Sequence, residues 1–192
     1  MTLFFEFYKK IVDECFTIFL QKLNNYGESF KIFRIKGIID QVFIKINRIK
    51  YIENYKDIKI TNEPIEETLK SAINYSIIGL ILIDNIKLID FDTSISLQNI
   101  LYEKEMHTIV EHYNKKIEDV YNLILNKNND YDNAWEQMYI SSFTDIILVK
   151  ISRMKHAIDT NNKDVSFIIE DGFMDIINYL IFYLYKLSNI LK

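Results

Sequence analysis

Apolar side chains recur along this 192-residue chain at steps of three and four positions. The first stretch places Phe4, Tyr8, Ile11, Cys15 and Phe19 on one face of a helix. The same spacing predicts six helices, arranged as two sets of three. The predicted ranges are Leu3–Leu23, Ile38–Glu53 and Pro64–Ile83 in the first set, and Leu97–Leu125, Phe143–Asp159 and Glu170–Ile190 in the second.

Glycine and proline are scarce, with four glycines and one proline in the whole chain. Sheets and long loops need such turn residues, so their scarcity favours long helices joined by polar connectors. Pro64 suits the first turn of a helix, where its missing N–H group costs little. The predicted connectors are Leu23–Tyr26, Asn126–Asp132 and Asp159–Lys163 within the sets, and Asn85–Ser96 between them.

The two sets of helices are diverged copies of one unit. Matched segments follow in the same order in both copies and span most of the chain, which argues against a chance repeat. The matches are Tyr8 with Tyr113, Tyr26–Phe30 with Tyr131–Trp135, Phe43–Ile49 with Leu148–Met154, and Ile73–Tyr75 with Ile177–Tyr179.

This repeat predicts an all-α fold over residues 1–192, built as one globular domain. Repeat one covers residues 3–84 and repeat two covers residues 97–190. We expect the inner helices of both repeats to form a pseudo-two-fold, four-helix core, because neither repeat can bury its apolar faces alone.

Three polar residues form a stripe on the last predicted helix. Asp171, Asp175 and Asn178 are spaced i, i+4 and i+7 among mostly apolar neighbours, so this helix is expected to be buried nearly all round. Buried carboxylates need partners, and helical bundles often use facing carboxylates to hold metal ions. A second interpretation places Glu170 and Asp171 at a helix start, where the macrodipole favours negative charge.

Another acid lies near the start of the second helix in each repeat. Ser142 and Asp145 have the spacing of a capping box. Asp40 occupies the matching position in repeat one, where Gly37 replaces the serine. The acid therefore either caps the helix or serves a site, and both interpretations stay open.

Basic residues repeat as well, because Lys45 and Arg48 match Lys150 and Arg153. These cations would either lie along apolar surface and pair with acids, or neutralise phosphate oxygens, for which arginine offers a bidentate fork. Trp135, the single tryptophan, would either pack in the core or stack on a base.

Composition narrows the function classes. A net charge of −4 gives no broad basic surface, so nucleic-acid binding is not predicted. The single cysteine, Cys15, fits a buried position in a reducing compartment. The first ten residues lack the pattern of a signal peptide, and the apolar stretches are shorter than the roughly 20 residues of a membrane span. We expect a cytoplasmic protein without membrane contact.

The ordered motifs resemble the first nucleotide modification associated domain family, which is found in bacteria and phages. Repeat one looks like a diverged second instance. More distantly, the pattern is similar to all-α NTP pyrophosphohydrolases of the MazG and dimeric dUTPase types. The residues that carry the resemblance are Tyr131–Trp135, Ser141–Asp145, Lys150, Arg153 and Asp175–Tyr179 in repeat two, and Asp40, Lys45, Arg48 and Asn74–Tyr75 in repeat one.

The pyrophosphohydrolases carry E-x-x-E on one helix and E-x-x-D on the next, and they hold Mg²⁺ against a triphosphate. Here the motifs map to Ser142-x-x-Asp145 and Asp175-x-x-Asn178, and Ser71 replaces Asp175 in repeat one. The resemblance therefore implies a site with Mg²⁺ or Mn²⁺ in repeat two and a degenerate site in repeat one. The implied assignments are Asp145, Glu170, Asp171 and Asp175 as metal ligands, Lys150, Arg153, Lys45 and Arg48 as catalytic cations, and Asn178, Asn74, Trp135 and Asp40 as substrate contacts.

Three hypotheses follow from the sequence. The first is a Mg²⁺-dependent nucleoside triphosphate pyrophosphohydrolase, and the second is a nucleotide-binding or regulatory module without turnover. The third is a helical interaction protein whose acids pair directly with its own cations. It predicts Asp145 and Asp175 bound to Lys150, Arg153, Lys45 or Arg48, with no cavity between them. The sequence leaves open whether the chain also forms a homodimer.

Overall fold

The computed structural model describes residues 2–27, 29–55, 63–86, 106–131 and 133–190. Within these ranges the chain forms six α-helices and two short 3-10 helices, which confirms the all-α prediction. The 3-10 helices are Ser29–Ile32 and Ala134–Gln137. The α-helices are α1 Thr2–Tyr26, α2 Ile35–Tyr55, α3 Ile65–Ile86, α4 Met106–Tyr131, α5 Ile140–Asp159 and α6 Val165–Ile190.

The helices extend further than the asparagine-rich stretches suggested. Helix α1 continues to Tyr26 and α4 continues to Tyr131, so the predicted connectors at these two ends were mostly wrong. Leu23 is 2% exposed, which shows that the apolar face of α1 still packs in its last turn. Packing outweighs the helix propensity of asparagine, which is only some tenths of a kcal/mol below that of better helix formers.

Helix α6 begins at Val165, earlier than the predicted Glu170, because Val165 and Ile169 are already buried. The predicted connector Asp159–Lys163 is confirmed in outline, since α5 ends at Asp159. Most of the predicted junction Asn85–Ser96 lies outside the described residues, as do residues 97–105 of the fourth predicted helix.

The four-helix core consists of α2 and α3 from repeat one and α5 and α6 from repeat two. Helix α3 packs on α6, α2 on α5, and each of α2 and α5 on the third helix of its own repeat. Helices α1 and α4 both lie against α3 and α6. Exchanging the repeats maps this set of contacts onto itself, which confirms the predicted pseudo-two-fold bundle.

Close helix contacts fix the centre of the core. A Cβ atom on Gly79 of α3 would lie 2.5 Å from the ring of Phe173 on α6. A Cβ atom on Gly172 of α6 would lie 2.7 Å from the sulfur of Met154 on α5. Both glycines therefore let α6 approach its neighbours closely. Of the helices described, none is both long enough and apolar enough to cross a membrane.

Candidate functional site

Two of the three polar residues in the stripe on α6 are buried, as the sequence predicted. Asp175 is 7% exposed and Asn178 is 5% exposed, while Asp171 lies nearer the surface. Their position follows from α6 itself, which is enclosed by α1, α3, α4 and α5. A buried carboxylate without a partner would be costly, so the environment of Asp175 decides what this stripe can do.

Two lysines surround Asp175. Lys150 Nζ, from α5, hydrogen-bonds Asp175 Oδ2 and lies 3.4 Å from Asp171 Oδ2. Lys127 Nζ, from α4, lies 2.5 Å from Asp175 Oδ1. We call Lys127, Lys150, Asp171 and Asp175 the repeat-two cluster. In it, two carboxylates share one cation position, which the Lys150 ammonium group fills.

The pKa of Lys150 reflects these contacts. Burial lowers the pKa, but the hydrogen bond and the charge of Asp175, followed by those of Asp171, outweigh burial and raise it above the ordinary value. The ammonium group therefore stays charged at neutral pH. Its charge offsets the cost of burying Asp175.

Asn178 differs sharply from its counterpart in repeat one. Asn74 donates a hydrogen bond of 3.0 Å to the carbonyl oxygen of Cys15 and accepts one of 2.6 Å from the Tyr113 hydroxyl group. In contrast, neither the Nδ2 nor the Oδ1 atom of Asn178 has a hydrogen-bond partner among the described residues, although both atoms are buried. Such groups are rare and costly, so Asn178 can hydrogen-bond a polar group that enters repeat two.

Asp145 lies apart from the repeat-two cluster. Its side chain is 67% exposed and lies 3.1 Å from Lys50 Nζ on α2. The matching pair joins Asp40 to Lys155 Nζ at 2.6 Å, so the two acids make reciprocal ion pairs between α2 and α5. The capping-box interpretation was wrong, because α5 begins at Ile140 after the N-cap residue Tyr139, whose side chain makes no capping hydrogen bond.

Glu170 also has its own partner. It lies 4.0 Å from Lys116 Nζ, which in turn contacts Asp84 at 2.5 Å and Asp119 at 3.6 Å. The four predicted metal ligands are thus distributed over three ion-pair clusters, and only Asp171 and Asp175 meet at one cation. In the described part of the chain, no group of three or more His, Cys, Asp or Glu side chains is close enough to hold a metal ion.

The remaining predicted cations lie outside the repeat-two cluster. Arg48 hydrogen-bonds the Thr68 hydroxyl group and the carbonyl oxygen of Glu63 at 2.6 Å, which ties α2 to the start of α3. Arg153 is exposed and Lys45 is half-buried, and neither makes an ion pair with a described residue. Of the four predicted catalytic cations, Lys150 alone is seen in the repeat-two cluster.

Trp135 is a core residue in this structure. Its side chain is 6% exposed and stacks on Phe182 at 4.2 Å, with 9° between the rings. Phe4 of α1 contacts both rings, with its ring centroid 4.7 Å from that of Trp135 and 5.6 Å from that of Phe182. The aromatic stack therefore joins the first helix of repeat one to the last helix of repeat two.

Repeat one has a cavity of about 320 Å³ at the positions that match Lys127 and Asp175 of the repeat-two cluster. Ser71, the counterpart of Asp175, and Asn74 form part of its wall. Lys22, which matches Lys127 in the repeat, lies at the same cavity. The other lining residues are Phe19, Leu23, Tyr26, Gly27, Ser29, Phe30, Phe33, Tyr75 and Ile78.

Sequence reasoning missed several residues of these sites. Lys127 could have been found from its position opposite Lys22 in the repeat, but the cavity has no sequence motif. Glu53 was also missed, although it accepts hydrogen bonds from Thr144 at 2.8 Å and Tyr183 at 3.0 Å and so joins the repeats. Nothing in the sequence around Glu53 indicates partners so far along the chain.

Comparison with known proteins bears on both repeats. The family model described as nucleotide modification associated domain 1 matches the chain twice, over residues 22–83 and residues 127–187. One match falls within each repeat, and together the two matches cover more than half of the chain. No curated protein and no solved structure shows significant similarity to it.

Proposed function

This chain belongs to the nucleotide modification associated domain 1 family, and on that premise we propose that it is a nucleotide-handling protein. The proposed activity is Mg²⁺- or Mn²⁺-dependent hydrolysis of a nucleoside triphosphate at the repeat-two cluster. Water would add to the α-phosphorus, and the bond to the β-phosphate would break. The products are a nucleoside monophosphate and pyrophosphate.

One observation carries this proposal: Asp171 and Asp175 converge on a single cation. Mg²⁺ is often held by one or two carboxylates, with substrate phosphates and water completing its coordination. Asp171 and Asp175 fit that donor set. Lys150 Nζ contacts both carboxylates and so occupies the position that the metal would take. Asp145 and Glu170 fit it less well, since each is engaged by another lysine.

The chain's own residues would divide the work around the triphosphate. Bound Mg²⁺ would supply a Lewis acid that polarises the phosphate. Lys150 and Lys127 both contact Asp175, so their ammonium groups would lie near the triphosphate and would offset the charge of its oxygens once Mg²⁺ replaced Lys150 Nζ between the carboxylates. The side-chain amide of Asn178, which no described residue hydrogen-bonds, would bind a hydroxyl group or a base edge.

A second candidate is nucleotide binding without turnover. It is favoured by the small acid set, because two carboxylates form fewer metal bonds than the four acids of the pyrophosphohydrolase motifs. The direct contacts of Asp175 with Lys127 and Lys150 favour it as well, since a metal would have to replace them. In this case the cluster would bind phosphate through its lysines.

The hypothesis of a purely structural ion-pair network accounts for part of the geometry. It predicted the contact between Asp175 and Lys150, which is present. Its prediction for Asp145 was wrong, because that acid pairs with Lys50. It also gives no reason for the buried amide of Asn178, which has no hydrogen-bond partner among the residues that the structure describes, so we place it third.

The deciding experiment measures pyrophosphate and phosphate release from canonical and modified nucleoside triphosphates, with Mg²⁺, Mn²⁺ or EDTA. Asp175→Asn should abolish turnover and leave the helical circular dichroism spectrum unchanged. Asp119→Asn is the matched control, because it makes the same change at an acid paired with a different lysine. Equal activity of wild type and Asp175→Asn would rule out the assignment.

Two other results would redirect the function. Metal-dependent nucleotide binding without product release would support the binding module. The absence of both binding and turnover across the panel would support the ion-pair network.

A further inference from the structure

The cavity of repeat one is lined by aromatic, polar and positively charged side chains. Phe30, Phe33 and Tyr75 supply aromatic surface, while Asn74 and Ser71 supply polar groups. Lys22 adds a positive charge. At about 320 Å³, the cavity lies within the size range of small-molecule pockets.

The cavity is open because smaller side chains replace larger ones at matching positions of the repeat. Phe30 stands where repeat two has Trp135, and Ile78 stands where repeat two has Phe182. In repeat two these two large rings stack on each other and fill the space.

The cavity of repeat one also has one negative charge fewer than the matching region of repeat two. Ser71 stands where repeat two has Asp175, so the acid that binds Lys127 has no equivalent beside Lys22. No described carboxylate pairs with Lys22, which leaves its ammonium group available to an anion.

Asn74 is held in position before any ligand arrives. Its Nδ2 atom donates to the carbonyl oxygen of Cys15 at 3.0 Å, and its Oδ1 atom accepts from Tyr113 at 2.6 Å. One N–H group and one lone pair of the amide are then still unused. An amide with one donor and one acceptor matches the hydrogen-bonding edge of a nucleobase, and it is oriented at no further entropic cost.

We infer that this cavity is a second ligand site, which binds a nucleoside or nucleoside monophosphate without metal. The base packs against the aromatic wall of Phe30, Phe33 and Tyr75 and hydrogen-bonds Asn74. A monophosphate, when present, pairs with Lys22. The site lacks the carboxylate that the repeat-two cluster has, so it binds its ligand and does not hydrolyse it.

The test is calorimetric titration of the full chain in EDTA with the common nucleosides and their monophosphates. We expect at least one of them to bind with a dissociation constant that is the same in wild type and Asp175→Asn. Ile78→Phe installs the residue of repeat two, keeps both hydrogen bonds of Asn74 and fills the cavity. It should weaken binding by at least about tenfold, while the melting temperature is kept or raised.

A second variant separates the phosphate from the base. Lys22→Met should remove the advantage of the monophosphate over its nucleoside and leave nucleoside binding unchanged. The inference is overturned if no nucleoside or monophosphate binds in EDTA at millimolar concentration, or if Ile78→Phe binds as wild type does. Binding that needs metal and is lost in Asp175→Asn would also overturn it and would assign the ligand to repeat two. Triphosphate hydrolysis, measured separately, can fail without affecting any of these outcomes.

Discussion

The hydroxyl group of Tyr113 donates a hydrogen bond of 2.6 Å to Asn74 Oδ1, and this bond joins α4 of repeat two to α3 of repeat one. The equivalent residues on the other side of the pseudo-two-fold axis are Tyr8 and Asn178. The Tyr8 hydroxyl group and both polar atoms of Asn178 are buried without a hydrogen-bond partner among the described residues. Both repeats thus contribute the same tyrosine and asparagine, but among the described residues the hydrogen bond forms only between Tyr113 and Asn74.

This asymmetry predicts opposite effects for the same substitution. Tyr113→Phe should lower the free energy of unfolding by about 1–3 kcal/mol, because it leaves the buried Asn74 oxygen with one partner fewer. Tyr8→Phe should be neutral or stabilising, since it removes a buried hydroxyl group that has no hydrogen-bond partner in the described part of the chain. Urea unfolding of both variants, followed by circular dichroism, measures the difference. Equal losses in the two variants would contradict the observed asymmetry.

Adding a methyl group at each of the two core glycines should lower the stability by different amounts. Gly79→Ala would place a Cβ atom 2.5 Å from Phe173, a ring held between helices, and should cost about 1–3 kcal/mol of stability. Gly172→Ala meets the flexible thioether of Met154 instead, and that side chain can move away. We expect the smaller loss for Gly172→Ala. Thermal unfolding compares them, and the reverse order would show that the α3–α6 contact is the more adaptable one.

Alkaline pH should weaken the repeat-two cluster. Burial lowers the pKa of Lys150, but the contacts with Asp175 outweigh this effect and raise it above the ordinary value of 10.5. The unfolded chain therefore loses this proton first as the pH rises. The contribution of Lys150 to stability is complete below pH 10.5 and disappears as the pH passes the raised pKa of the folded state.

Lys150→Met should flatten this fall in stability above pH 10.5, measured as urea midpoints across a pH series. Buried tyrosines, such as Tyr183, whose pKa burial also raises, contribute to the fall in every variant. The difference between wild type and Lys150→Met isolates the lysine. Lys22→Met, at a lysine without a described ion pair, serves as control and should follow the wild-type slope.

Substitution of Asp145 tests whether this residue is a metal ligand, as the family resemblance implied. Its carboxylate is 67% exposed and pairs with Lys50, so a double-mutant cycle with Asp145→Asn and Lys50→Met should give a coupling of about 0.2–1 kcal/mol. The reciprocal pair of Asp40 and Lys155 should give a similar value. Asp145→Asn should also keep the metal-dependent turnover that we propose for the repeat-two cluster. Loss of turnover in this variant would show that the acid approaches the cluster when substrate binds.

Much of this protein is determined by short-range sequence patterns. The three- and four-residue apolar spacing defined the helices, and the matched segments defined the repeat and its four-helix core. The i, i+4, i+7 spacing of Asp171, Asp175 and Asn178 was sufficient to place them on one face of α6, where Asp175 and Asn178 are buried. These features could be predicted because helical periodicity relates neighbouring residues directly to a shared face.

The ion-pair partners of individual lysines and acids were decided by the tertiary structure. Lys127 pairs with Asp175 across 48 positions of the chain, and Lys155 pairs with Asp40 across 115 positions. Such contacts depend on the angle and depth at which helices pack, which no local pattern specifies. The cavity of repeat one likewise arises from a difference in side-chain volume between positions that the sequence presents as equivalent. The repeat determined the arrangement of the helices. Side-chain packing determined that repeat two contains an ion-pair cluster and that repeat one contains a cavity.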